Sequence, residues 1–164
     1  MLMKAQTSLR LSGRASAAPL SLSAKERQLI ESLIAYGHDV RFFSGNAVRD
    51  LEHQGLFNDV NGLRAAILCG RPVDEVDGMI DILIRDMARH FRIEEAILAT
   101  AGYPGTGKHA VLHRNLADHA ATRVRGFRAG TLGIGEVFRF LAHDVIVKHA
   151  LDADRECYPW LRPH

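Results

Sequence analysis

The stretch His90-Phe91-Arg92-Ile93-Glu94-Glu95, followed by Tyr103-Pro104 and then His109-Ala110-Val111-Leu112-His113, holds two pairs of metal-capable side chains, His90/Glu94 and His109/His113. Each pair is spaced i,i+4. On a helix that spacing leaves two side chains about 40° apart around the axis and about 6 Å apart along it, so both reach one ion. The run Gly102-Tyr103-Pro104-Gly105-Thr106-Gly107 between the pairs cannot continue a helix. It predicts two antiparallel helices joined by a short turn, with four ligand-type groups facing each other across the interface. An isolated pair carries a plainer meaning as well, since Glu94 and Glu95 would look the same on a solvated helix face.

Outward from this stretch, composition sets the bounds. The 164 residues suffice for one domain with a sizeable core, and 47% apolar residues place the chain among ordinary globular proteins. A net charge of +2, from 21 Lys and Arg against 19 Asp and Glu, gives no electrostatic reason to expect nucleic acid or an anionic membrane as partner. Cys69 and Cys157 stand about ninety residues apart with no CxxC pair, too few for a disulfide framework. Both read as buried thiols in a reducing cytoplasm. No run of 18 apolar residues exists to span a membrane.

Residues 1–24 are rich in Ser, Ala and Leu, carry Lys4, Arg10 and Arg14 without any acid, and lack the apolar block of a secretory signal. They read as a disordered or loosely attached leader. Ser23, with Glu26 three residues on, opens a capping box and the apolar series Leu29, Ile30, Leu33, Ile34, a helix of about a dozen residues. This helix is expected either to dock on the main domain or to pair with another chain. Gly37-His38-Asp39 and Phe43-Ser44-Gly45-Asn46 separate it from the next helix, so residues 1–45 form an N-terminal extension and 46–164 the main domain.

A first long helix is expected from about Ala47 to Leu68, with Val48, Leu51, Leu56, Val60, Leu63 and Ile67 inward and His53 within it. Gly70 and Pro72 end it, and Asp74, Glu75 and Asp77 supply the acidic first turn of a second, about 74–100, whose apolar stripe includes Val76, Ile80, Leu83, Met87, Phe91 and Leu98. The third runs from about Lys108 to Arg125. The fourth, about Gly135 to Glu156, carries Val137, Phe138, Leu141, Val145 and Ile146 and ends before Pro159. Four amphipathic helices with short connections, and no strand alternation to compete, give an all-α, antiparallel up-down-up-down four-helix bundle. On the fourth helix His149 and Asp154 are five apart, about 140° around an ideal helix, which is poor chelate geometry.

The order His53, His90-x3-Glu94, His109-x3-His113, His149-x4-Asp154 resembles the complete ligand pattern of the hemerythrins, and the bacterial ones in particular. Asp50-Leu51-Glu52-His53-Gln54-Gly55-Leu56-Phe57 with Asn61, His90-Phe91-x2-Glu94-Glu95, and Tyr103-Pro104 support it. The resemblance covers roughly Val48 to Leu161; residues 1–45 lie outside it. It implies a non-haem di-iron centre that binds dioxygen reversibly for storage, delivery or sensing, without acting as an enzyme. By the same resemblance His109, His113 and His149 would hold one iron, His53 and His90 the other, and Glu94, Asp154 and an oxo or hydroxo group would bridge both. Twelve positions around two six-coordinate irons are then filled but for one, on the two-histidine iron, which is where dioxygen would go.

Such a core with two ferrous irons has a net charge of +1, because imidazoles add no negative charge. Carboxylate-rich di-iron enzymes instead take four Glu and two His from their bundle, which suits more highly oxidised iron. The histidine-rich set therefore favours holding oxygen over splitting it. Imidazole also suits zinc and copper, so iron rests partly on the resemblance. The alternative is a di-iron oxidoreductase acting on peroxide, nitric oxide or ferrous iron; a third reading is an interaction module in which metal only staples the bundle and residues 1–45 touch a signalling partner. His38, His119, His143 and His164 match no ligand position and are expected on the surface or behind the ligands, while Ile93, Leu112, Phe57 and Ile146 read as core.

Two departures stand out. Bacterial relatives commonly carry a Trp four residues before the last histidine and a bulky aliphatic residue just after it, where this chain has Val145 and Ala150. Lost volume there predicts a more open oxygen pocket, faster autoxidation and faster entry of azide-like anions, with Ala150→Ile slowing autoxidation. The usual aromatic lead-in before the first ligand helix is also missing.

Overall fold

The computed structural model describes residues 18–33 and 40–161. Most of the leader (1–17), Ile34, the Gly37-His38-Asp39 break and His164 lie outside the described residues. Among the described residues the structure is all helical apart from one isolated antiparallel bridge between Pro19 and Pro72. The elements are α1 (Ala24–Ser32), a 3₁₀ turn (Val40–Phe42), α2 (Ala47–Leu68), α3 (Val73–Thr100), α4 (Thr106–Arg128) and α5 (Ile134–Arg139). After α5 come a π-helical segment (Phe140–Lys148), α6 (His149–Leu151), a second 3₁₀ turn (Asp154–Cys157) and α7 (Tyr158–Leu161). The bundle consists of α2, α3, α4 and the composite fourth member from α5 to α6. No described helix is long and apolar enough to cross a membrane.

The ends of the long helices follow from local chemistry. Asn46 caps α2 by accepting from the Arg49 N–H. Gly70, at φ +66, turns the chain out of α2, and Gly102, at φ +70, does the same after α3, where the Tyr103 N–H closes back onto the Leu98 carbonyl. Asp74 and Glu75 lie in the first turn of α3 and favour its dipole. The core then runs the length of the bundle through Leu56, Phe57, Val60, Leu63, Ile80, Leu83, Met87, Val137, Phe138 and Leu141.

Three expectations need correction. Val48 and Leu51 face solvent, at 56% and 72% exposure, because α2 turns Arg49 and His53 inward in their stead. Cys69 is exposed at the end of α2, while Cys157 is buried. The fourth helix is not uniform: α-helical geometry widens to π after Arg139, ends at Leu151, and gives way to a 3₁₀ turn. Helical turns resume through Pro159, which is tolerated in the first turn of α7 because no helical N–H is needed there.

The π segment has a sequence cause. Its inward residues come in pairs four apart, Leu141/Ala142, Val145/Ile146 and His149/Ala150, all buried. A four-residue repeat drifts about 40° per turn on an α-helix, and the wider i→i+5 turn absorbs that drift.

The short helix of the extension is docked on the bundle. Ser23 and Glu26 form the full capping box of α1, and Ile30 is fully buried in the main core. Arg64 of α2 donates to the carbonyls of Ile30 and Glu31 at 3.1 Å each, satisfying the C-terminal end of α1. On the other side Glu26 accepts from the Gly135 N–H at 3.4 Å and so also serves the start of α5, which lacks a side-chain cap of its own.

Candidate metal centre

Four elements of the bundle and the turn after it deliver the predicted ligand-type residues to one buried place. Arg49 and His53 are i,i+4 on α2, His90 and Glu94 i,i+4 on α3, His109 and His113 i,i+4 on α4; His149 opens α6 and Asp154 opens the second 3₁₀ turn. All of them are buried. The seven ligand-type residues form two groups, Glu94/His109/His113/His149/Asp154 and His53/His90/Glu94/Asp154, with the ligand atoms of each within 4.8 Å of one another. Both groups contain Glu94 and Asp154. The unfavourable His149–Asp154 spacing is resolved by the end of the helix at Leu151, after which the 3₁₀ turn swings Asp154 Oδ1 to 2.9 Å from His149 Nε2.

Every histidine of the cluster presents Nε2. On the three-histidine side, Glu94 Oε2 lies 3.2 Å from His109, 3.3 Å from His113 and 3.9 Å from His149. Asp154 Oδ1 lies 3.3 Å from His109, and His113 and His149 face each other at 2.9 Å. On the two-histidine side, His53 is 3.2 Å from Asp154 Oδ2 and His90 is 3.7 Å from Glu94 Oε2. Behind these histidines, Glu95 bonds His113 Nδ1 at 2.8 Å, which fixes the ring and leaves Nε2 facing the centre. Phe91 stacks on the His113 ring at 3.9 Å and 9°. Glu95 thus touches a ligand instead of sitting on a wholly solvated face.

The electrostatics reflect packed charge without water. Burial opposes ionisation of Glu94 and Asp154, yet the surrounding imidazoles hold both carboxyls well below the usual range, with Arg49 adding to the effect on Glu94. Burial also opposes charging His109 and His149, but hydrogen bonds and charge from Asp154 and Glu94, with Cys157 also bonding His109, carry them up to about 11 and about 9. Burial, with His53 beside it, pushes His90 down to about 3. The Nδ1 atoms of His53, His90 and His149 are buried without a hydrogen bond. A donor set of five imidazoles and two carboxylates, with the ligand atoms of each group within 4.8 Å of one another, fits a pair of metal ions.

Beside the two-histidine half lies a cavity of about 10 Å³, lined by His53, His90, His149 and Asp154 together with the apolar side chains of Leu56, Met87, Phe91, Val145 and Ile146. That is about the room one water molecule needs. Val145 lines it and Ala150, though buried, does not.

Over 112 residues, 68% of this chain and 85% of the relative, the sequence is 27% identical to a bacteriohemerythrin of Methylococcus capsulatus. In sequence the chain is similar to a bacteriohemerythrin. No family model matches it, and no solved structure matches it either. Within the hemerythrin-like pattern, His119 and His143 are exposed and stand apart from the centre.

Sequence reasoning misses one residue of the site. Arg49 is fully buried and pairs through Nε with Glu94 Oε1 and through Nη2 with Asp154 Oδ2, the latter at 2.7 Å. The Tyr158 ring covers it at 5.0 Å. Its signal is its position one turn before His53, on the face that has to be inward if His53 is.

Proposed function

We propose that this chain binds dioxygen reversibly at a non-haem di-iron centre, serving oxygen storage, delivery or sensing in the cytoplasm, and that it is not an enzyme. The observation that supports this most is the division of seven buried groups into a three-histidine and a two-histidine half that share Glu94 and Asp154. In this reading His109, His113 and His149 would hold one iron and His53 and His90 the other, with Glu94 and Asp154, common to both groups, serving each. When bound, the iron pair supplies the electrons for reversible oxygen binding.

The chain's own residues shape that chemistry. Leu56, Met87, Phe91, Val145 and Ile146 keep bulk water from the two-histidine half, where the cavity admits only a molecule about the size of water. Glu95 orients His113 through Nδ1. Two carboxylates against five imidazoles provide little negative charge to sustain highly oxidised iron, which favours holding oxygen over oxidase chemistry. The name of the Methylococcus relative points the same way. Small anions such as azide are expected to compete for the same cavity.

The test is an iron assay beside visible spectra taken reduced under nitrogen, then in air, then under nitrogen again. Two irons per chain and a charge-transfer band that appears in air and vanishes on deoxygenation are expected. Two irons that oxidise irreversibly without that band would move the function to the oxidoreductase class.

A further inference from the structure

Each shared carboxylate turns one oxygen to the three-histidine half and the other toward Arg49. Glu94 Oε2 and Asp154 Oδ1 approach His109, His113 and His149, whereas Glu94 Oε1 and Asp154 Oδ2 are held by the guanidinium. His53 Nε2 also reaches Oδ2, at 3.2 Å, so Arg49 lies on the two-histidine side, against the Asp154 oxygen a second metal ion would share, while His90 Nε2 approaches Glu94 at its other oxygen, Oε2, at 3.7 Å. We infer that Arg49 stands in for the second metal ion, so that the two metal positions load in order, the three-histidine one first and the two-histidine one only as the guanidinium gives up its carboxylate oxygens. This inference rests on the dinuclear reading of the site.

The charge balance runs the same way. With the imidazoles bare, as metal binding requires, two ionised carboxylates and one guanidinium leave a buried charge of minus one, which a single divalent ion turns to plus one. A second divalent ion with a hydroxide raises it to plus two in a dry core, where uncompensated charge is costly. Arg49 cannot relieve this by losing its proton. Tyr158 over the guanidinium and the fork geometry toward two carboxylates both resist its displacement. Three histidines against two would by themselves give some inequality between the positions; Arg49 widens it.

The experiment is an anaerobic titration of the metal-free full chain with ferrous iron, read by stoichiometry and calorimetry, on the natural protein and on Arg49→Gln, with thermal melts of each at zero, one and two equivalents. The natural protein is expected to take one ion tightly and a second at least tenfold more weakly. Arg49→Gln should narrow that gap at least fivefold and should melt lower than the natural protein when metal-free, with the difference shrinking at two equivalents. Arg49→Lys, which keeps the charge but loses the fork, should lie between, and serves if the glutamine variant does not fold. Two ions bound without a gap, or a gap that Arg49→Gln and Arg49→Lys leave unchanged, overturn the inference while leaving the dinuclear reading intact. A natural protein that takes no second ion under any loading, in either variant as well, removes the dinuclear reading and this inference with it.

Discussion

At the scale of single residues the site separates groups that touch its centre from groups that hold those in place. Glu95 belongs to the second kind, and replacing such a partner typically costs about 10–100-fold in metal affinity. Glu95→Gln should therefore weaken iron retention against a chelator by about that factor without changing the helical content; unchanged retention would remove its orienting role. Val145 and Ala150 look alike in the sequence but differ in consequence. Val145→Ala enlarges the cavity beside the two-histidine half and should speed autoxidation, at a stability cost of roughly 1–3 kcal/mol. Ala150 is packed away from that cavity, so Ala150→Ile should lower the melting temperature by overpacking, at about 1–3 kcal/mol, and leave autoxidation alone. Oxidation rates read from the decay of the aerobic spectrum separate the two.

At the scale of elements, α1 and α5 are joined through one carboxylate. Partial burial pushes the Glu26 carboxyl up, but its bonds from Ser23 and from the Gly135 N–H outweigh this and hold it below its ordinary value. A lowered folded pKa contributes stability that is present above the unfolded value, ordinarily about 4.5, and lost as pH falls through the folded one. Gly135 makes the close approach feasible, since a Cβ there would come within 3.0 Å of Glu26 Cγ and 3.4 Å of its Cα. Gly135→Ala should make Glu26 and α1 give way by a few tenths of an ångström, weakening the Glu26 contact and lowering the melting temperature; an unchanged melting temperature would contradict this account.

The elements also show how far a sequence can be read unaided. Helices α2, α3 and α4 are legible to within about three residues, because apolar spacing and Gly/Pro punctuation agree there. The inward phase of α2 is not, because its first turn buries Arg49, a residue type that pattern reading places in water. Asp154 is legible only through a family pattern, since its distance from His149 depends on a helix end at Leu151 that no Gly or Pro announces. The π segment leaves a trace in the pairs recurring every four residues, but such pairs look like an ordinary apolar face until the phase is known.

At the scale of the whole molecule, metal bound as proposed would compete with protons for one set of nitrogens. His109 and His149 titrate high, up to about 11 and about 9, so the metal-free fold keeps protons that the unfolded chain releases. The stability this contributes is complete below about pH 6.5 and is lost as pH climbs toward those values. His90, pushed down to about 3, refuses a proton that the unfolded chain accepts, so the metal-free fold also weakens as pH falls from about 6.5 toward 3. Loading with metal requires the same nitrogens bare and tightens as pH rises. Between about pH 6.5 and 9, the melting temperature of chelator-treated protein should fall while that of iron-loaded protein holds or rises; parallel profiles would show that these histidines do not share protons and metal.

The ligand set is also scattered along the chain, from His53 to Asp154. An ion held by His53 and Asp154 together would be a cross-link closing a loop of about a hundred residues, which by chain entropy alone is worth about 4–5 kcal/mol, much as a long-range disulfide would be. Arg49, gripping Glu94 and Asp154, already draws the same loop shut without covalent or coordinate bonds. The folded chain is thereby tied into a ring before any metal arrives, and metal binding knots a ring that is already closed.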